Sequence, residues 1–236
     1  MSLAAIIVAA GAGSRLGGEL PKQFLDLEGV PIVARAVQAF DLSGAVERIL
    51  VALPASHLDY AEREVFGGRS WRVRPELVAG GAERWQSVAC CLALLGPEVT
   101  HVLVHDGARP LVSPELVRRI AHEVIAAGAV IAALPEKNTL KLVDGGGQIV
   151  RTVARAGMWE AQTPQAFRIE LLREAHARAG AAEPPTDDAE LVERMGHPVK
   201  VVTGEETNFK VTTHFDLALA RLLARSGMAA AEGTRC

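Results

Sequence analysis

The 236-residue chain has three cysteines, one tyrosine and no apolar stretch near the roughly 18 residues needed to cross a bilayer. Cys90 and Cys91 are adjacent and Cys236 is terminal, so they supply neither a disulfide framework nor a C-x-x-C zinc site. An excess of positive charge is also missing. Twenty-five Lys and Arg against 28 Asp and Glu give a net charge of −3, which exerts no global pull on nucleic acid or anionic membrane. The two familiar phosphate loops are absent as well. A dinucleotide G-x-G-x-x-G fails at Leu16, and a G-K-[ST] loop fails because Lys22 lies between Pro21 and Gln23. No Ser–His–Asp set or carboxylate pair stands out for nucleophilic or acid–base work. The opening "MSLAAIIVAA" lacks a basic n-region and reads as a buried strand, not a signal peptide. The expected location is the reducing cytoplasm.

What is present is an ordinary globular composition, 49% hydrophobic and 22% charged. Short apolar runs, "LAAIIVAA" (3–10), "VERILVAL" (46–53), "HVLVHD" (101–106) and "AVIAAL" (129–134), alternate with segments of helical spacing. That alternation predicts an α/β fold with a doubly wound, mostly parallel sheet, in one domain over residues 1–225. "SPELVRRIAHEVIAAG" (113–128) carries a complete helix signature: serine cap, proline in the first turn, glycine stop. The rhythm breaks at 138–155, where two β-type segments flank "DGGG". This predicts an inserted hairpin arm, whose open edges call for a partner. Residues 226–236 read as a frayed tail.

The chemistry-bearing residues cluster after strands. "AAGAGSRLGGELPKQ" (9–23) follows the first strand, where α/β sheets bind ligands. Gly11 and Gly13 allow close backbone approach, and Arg15 and Lys22 add two positive charges, a combination suited to a polyphosphate. "HDGARP" places Asp106 just past a strand end, able to ligate Mg²⁺ beside a bound triphosphate or simply to cap a turn. Gly107 and Arg109 share that turn and join the ligand-binding candidates. "GGAERWQSV" repeats the theme, with Gly81 for close approach and Ser87 reaching from the next helix. "AQTPQAF" (161–167) offers Thr163 before a proline turn as a substrate contact, and "TDDAE" (186–190) reads as a helix start.

Taken in order, "AAGAGSRLGGELPKQF", "AGGAERWQSV", "VHDGARPLV", "NTLKLV", "ARAGMWEAQTPQAF", "TDDAELVE" and "TNFKVTTHFDLALA" resemble the 2-C-methyl-D-erythritol 4-phosphate cytidylyltransferases. These enzymes of the non-mevalonate isoprenoid pathway join CTP to a methylerythritol phosphate. The resemblance spans nearly the whole chain and implies a Rossmann-like nucleotidyltransferase fold. It implies that Arg15 and Lys22 stabilise charge at the triphosphate, and that Ala9, Ala10, Gly11, Gly81 and Ser87 surround the nucleotide. Asp106 would stand at the metal and ribose, with Arg109 holding the rim by charge pairing. Thr139, Arg155, Thr186 and Lys210 would position the methylerythritol phosphate. It further implies Mg²⁺ or another divalent cation, and a homodimer in which the arm reaches the neighbouring subunit's acceptor site. Two positions depart from the family pattern: Ala82 and Asn138 stand where aspartates are common. A ribitol 5-phosphate cytidylyltransferase shares the chemistry and is the nearest alternative. A non-catalytic CTP sensor would not be expected to keep Arg15, Lys22 and Asp106 together.

Overall fold

The computed structural model describes residues 2–11, 20–179 and 184–226. The described elements run β1 (Ser2–Val8), β2 (Asp26–Leu27), β3 (Val30–Pro31), α1 (Ile32–Ser43), β4 (Arg48–Leu53) and α2 (Leu58–Tyr60), which continues as a π-helical Ala61–Phe66. Then come β5 (Glu76–Ala79), α3 (Arg84–Leu92), β6 (Val99–Asp106), α4 (Pro114–Ala127), β7 (Ala129–Pro135), β8 (Leu140–Val143) and β9 (Ile149–Val153). The chain closes with β10 (Trp159–Arg168), α5 (Ile169–Arg178), α6 (Asp188–Glu193), β11 (Lys200–Thr203) and α7 (His214–Ser226).

Seven strands form the central sheet in the order β11-β7-β10-β6-β1-β4-β5. All neighbours are parallel except β10, which runs antiparallel to both β6 and β7. Because successive strand residues face opposite sides, Ile7 and Ile6 enter different layers. Ile7, Val51 and Leu103 pack with Val37 and Phe40 of α1 and Leu116 and Ile120 of α4. On the other face Ile6, Leu50 and Val104 meet Val88 of α3, Leu172 of α5 and Val192 of α6. Two buried helical layers on one sheet give the doubly wound α/β architecture its sequence rhythm predicts. The order reverses at β1, whose continuation β4–β5 lies on one side and β6 on the other, so the carboxyl ends of β1 and β6 frame the crevice such sheets use for ligands.

The helix signature at 113–128 is realised in full. Ser113 Oγ accepts from Leu116 N–H at 2.9 Å, Pro114 opens α4, and Gly128 closes it at φ 77°. The segment "AQTPQAF" is not a turn, as its proline suggests, but the inner half of β10, the longest described strand. Proline cannot donate to the ladder, and Pro164 sits within the break in β7 pairing between Ala161 and Gln165, after a cis Thr163–Pro164 bond. The glutamines of β10 are tolerated in the interior because each is satisfied. Gln165 donates to Asp187 Oδ2 (2.7 Å) and accepts from Ala189 N–H (3.1 Å), while Gln162 exchanges bonds with the backbone of Glu205. The hairpin at 138–155 is present as β8 and β9, which pair only with each other among the described strands. Asp144 Oδ1 holds its turn by accepting from Gly146 and Gln148 N–H, both at 2.9 Å. Ser226 ends α7 instead of opening the tail; residues 227–236 lie outside the described residues.

Candidate active site

A cavity of about 290 Å³ opens at the carboxyl ends of β1 and β6. Val8 and Ala9 form its floor, Gly11 and Lys22 one wall, and Gly81 and Ser87 the other. Ala9 N–H donates to Ala52 O (2.8 Å) and Gly80 N–H to Leu53 O (2.8 Å), so the floor and the approach to the Gly81 wall extend the sheet ladder. A Cβ at Gly80 would collide with the Ala10 methyl, and one at Gly81 with Gln86 Cβ, which explains why this wall is built of glycine. Ser87 Oγ accepts from Gly81 N–H at 3.1 Å and fixes it. The first turn of α3 also faces the cavity through Glu83 and Arg84, which brings the positive end of a helix to an anion-sized space. Glu83 and Gln86 make a reciprocal capping box at that end.

Across the sheet end stands Asp106. Its Oδ1 accepts from Arg84 Nε at 3.0 Å, its Oδ2 pairs with Lys210 Nζ at 2.9 Å, and Arg109 Nε lies 3.7 Å away. Burial works to raise its pKa, but Arg84, then Lys210 and Arg109, outweigh it and hold the carboxyl far below the usual carboxylate range. Three cations therefore converge on one anion at the cavity wall. Lys22 approaches from the other side, where its Nζ donates to Val211 O at 3.0 Å. A second cavity of about 370 Å³ adjoins this wall, lined by Arg109, Glu136, Asn138, Glu160, Glu206 and Lys210. Lys210 lines both cavities and is the side chain between them.

The comparisons with known proteins meet this geometry. Residues 3–226 match the IspD family model, 2-C-methyl-D-erythritol 4-phosphate cytidylyltransferase. The chain belongs to this family. It is therefore an enzyme of the nucleotidyltransferase class. It is 40% identical over 234 residues to the enzyme of that name from Pelotomaculum thermopropionicum, covering 98% of each chain. It is 43% identical over 224 residues to that from Rhodococcus jostii, covering 94% of this chain and 95% of the relative. Among solved structures, the cytidylyltransferase from Thermus thermophilus superposes with a TM-score of 0.77 at 37% identity, over 95% of this chain and all of that one. The synthase from Anaerococcus prevotii gives a TM-score of 0.83 at 28% identity, over 95% and 98% of the two chains.

Of the residues singled out in this cytidylyltransferase sequence, Ala9, Gly11, Lys22, Gly81, Ser87, Asp106 and Lys210 line the first cavity, whereas Ala10 is not part of its lining and packs its methyl against Gly80. Gly13 and Arg15 lie outside the described residues. Gly107 does not face the cavity. Its N–H donates to Val8 O at 2.9 Å, and a Cβ there would crowd Ala9 and Val33, so this glycine serves close packing beneath the loop. Arg109 holds the rim, donating from Nη1 to Asn208 O at 2.8 Å. Thr163 is not open to substrate. It is buried, and its Oγ accepts from Asp106 N–H (3.0 Å) and meets His105 Nδ1 at 2.9 Å. His105 Nε2 lies 3.1 Å from Arg109 O, an acceptor, so Nε2 carries the proton and Thr163 donates to Nδ1. Burial pushes the His105 pKa down to about 4, which keeps that neutral tautomer and makes the ring a brace for the turn.

Thr186 lies off both cavities. Its N–H and hydroxyl are given to Glu190 Oε2 at 2.7 and 2.8 Å, a capping arrangement. Thr139 and Arg155 stand exposed at the base of the arm, with Arg155 Nη1 donating to Lys137 O, and neither lines either of these two cavities of its own chain. Gln23 and Arg84, which no motif points out as ligand contacts, also line the first cavity. Gln23 is buried, and its Nε2 donates to Ala9 O (2.7 Å) and Gly11 O (3.2 Å), tying the loop to the turn that carries Lys22. The only sequence signal for either was its place inside a quoted motif. As to a divalent cation, no group of three His, Cys, Asp or Glu among the described residues could hold one. One hard carboxylate at the cavity wall, Asp106, fits a cation whose other ligands are phosphate and water.

Proposed function

We propose that the protein transfers a cytidylyl group from CTP to 2-C-methyl-D-erythritol 4-phosphate, giving 4-diphosphocytidyl-2-C-methyl-D-erythritol and pyrophosphate for isoprenoid precursors. The observation that carries this reading is Lys210, paired with Asp106 at the wall between two adjoining cavities. The first, with its glycine wall, helix end and Lys22, takes the CTP. The second takes the acceptor, whose phosphate is drawn to Lys210 and Arg109, while Glu136, Glu160 and Glu206 can accept from polyol hydroxyls. The family and the relatives named above favour methylerythritol over ribitol as the polyol.

An oxygen of the acceptor phosphate attacks the α-phosphorus of CTP, the new O–P bond forms, and the bond to the β-phosphate oxygen breaks. A phosphate monoester is largely dianionic at neutral pH, so the nucleophile needs no base. The obstacle is repulsion between two anions. Lys22, with Arg15 outside the described residues, neutralises charge at the reacting phosphorus, and Lys210 and Arg109 align the acceptor for in-line attack. A divalent cation, Mg²⁺ by its affinity for phosphate oxygens, would share the triphosphate charge, with Asp106 as its protein ligand. Pyrophosphate released from CTP and methylerythritol 4-phosphate, and not from CTP and ribitol 5-phosphate, is the expected result. No release from folded protein overturns the assignment.

The arm supports a homodimer. A lone two-stranded hairpin is marginal in water, and β8–β9 leaves Leu142, Val143, Ile149 and Val150 exposed, with no other described strand on either edge. A second copy covers both arms with one isologous interface. Thr139 and Arg155, which adjoin their own acceptor cavity at Asn138 and Lys137 without lining it, then serve the partner's. Free Cys90 and Cys91 support a location in the reducing cytoplasm. No described helix is long and apolar enough to cross a membrane.

A further inference from the structure

Behind the nucleotide cavity lies a buried polar chain that the transfer chemistry does not itself require. His176 on α5 donates Nε2–H to Asp188 Oδ1 at 3.0 Å. Asp188 Oδ2 accepts from Arg84 Nη1 at 2.5 Å, and Arg84 Nε reaches Asp106 Oδ1. Asp188 is fully enclosed at the start of α6, with His176 almost as deep. An ionised carboxylate in such a place is costly unless paired, and two apolar residues would join α5 to α6 at lower cost. The acid is nonetheless there, and its partner lines the cavity.

The geometry gives Asp188 a specific task. A guanidinium on a long side chain can swing, but Arg84 is gripped along two edges by two carboxylates and has one orientation left. Its Nη2 is buried with no hydrogen-bond partner among the described residues, so nothing else steadies it there. Asp106, in turn, has Lys210 and Arg109 on its far side. Without a counterweight, Arg84 would be drawn wholly to Asp106 and would disturb the pairing that places Lys210. Burial works to raise the Asp188 pKa, but Arg84 and then His176 hold it below its ordinary value, so the counterweight stays charged.

We propose that Asp188, steadied by His176, is a positioning residue for nucleotidyl transfer: it fixes the Arg84 guanidinium, and Arg84 fixes the Asp106 carboxylate between the nucleotide and acceptor cavities. This rests on the reading of those cavities given above. The test is a double-mutant cycle of Asp188→Asn and Arg84→Met, read by steady-state kinetics, by CTP affinity in calorimetry and by thermal unfolding.

Asp188→Asn should lower kcat/KM for CTP by about tenfold or more, the usual cost of losing a group that orients another. In the Arg84→Met background the same substitution should change kcat/KM by less than about twofold, because the residue it acts through is gone. Equal losses in both backgrounds, or a lower melting temperature with unchanged constants, would make Asp188 structural and overturn the proposal. Tighter CTP binding with unchanged kcat would also overturn it, since that is the signature of one fewer negative charge and nothing more. If Asp188→Asn does not fold, His176 decides. His176→Gln keeps a donor at Nε2 and should retain activity, whereas His176→Leu should lose it; a fully active leucine variant refutes the idea. Wild-type protein that binds CTP without releasing pyrophosphate would sink the reaction assignment instead, and CTP affinity across the cycle would still read the coupling.

Discussion

Replacing Gln23 by leucine removes two hydrogen bonds and little volume. The two carbonyls facing the amide fix its orientation, with Nε2 toward Ala9 O at 2.7 Å and Gly11 O at 3.2 Å. Ala9 is buried, so its carbonyl loses a partner that water cannot readily replace, at a cost of about 1–3 kcal/mol. Gly11 is exposed and its carbonyl can turn to solvent, which adds little. For a chain of this size about 2 kcal/mol lowers the melting temperature by roughly 4–8 °C. The same loss releases the loop from the turn bearing Lys22, so CTP must order what the amide had held. A population penalty of about 1.4 kcal/mol appears as a tenfold rise in the apparent CTP dissociation constant. Scanning calorimetry gives the first number and CTP titration the second. A melting temperature within a degree of wild type, with unchanged CTP affinity, would refute the reasoning; destabilisation with unchanged CTP affinity would restrict the amide to a structural role.

Lys22→Ala should cut kcat by about 100-fold or more while the fold survives, because one preorganised charge at a transition state is worth about 3 kcal/mol; near-normal turnover would remove Lys22 from the catalytic set. Lys22→Ala and Arg155→Ala proteins should each be nearly inactive, yet after co-refolding about a quarter of all sites should work, since random pairing makes half the dimers mixed and gives each mixed dimer one intact site. Mixed dimers without recovered activity would show that the arm serves its own subunit. Glu190 is held down to about 2 by the Thr186 N–H, then the Thr186 hydroxyl and Arg194, so its contribution to stability is present above its ordinary value of 4.5 and is lost as pH falls toward 2. Urea unfolding should therefore separate wild type from Glu190→Gln at pH 5 and bring them together near pH 2; a constant gap would contradict this.

The apolar runs of β1, β4, β6 and β7 were legible because strands buried on both faces show as continuous hydrophobic sequence. The α4 caps were legible because capping is local. β10 was not, since "AQTPQAF" has proline and polar side chains whose partners at Asp187, Ala189 and Glu205 come from distant sequence. The same applies to the site. Lys22 and Asp106 declare themselves beside glycines at strand ends, but Arg84 takes its meaning from carboxylates 22 and 104 residues away. Thr163 and Thr186 stand out only as motif members, and the engagement of their hydroxyls with His105 and Glu190 is not legible from spacing. Spacing reports what a residue is near in the chain, and charge pairing across a sheet end is invisible to it.

The direction of β10 has an architectural consequence. β7 leaves the sheet at the rim where the cavities open, and β10 re-enters from that same rim, with Glu136 N–H donating to Met158 O at 2.9 Å as the closing rung. The arm is thus spliced between two adjacent antiparallel strands and requires no crossover. It behaves as an appendix on a finished scaffold, free to lengthen, shorten or change its outer residues without altering a register inside. The dimer contact proposed for the arm and the sheet that carries the cavities would then be written in separable stretches of one chain, joined at the rim where those cavities open.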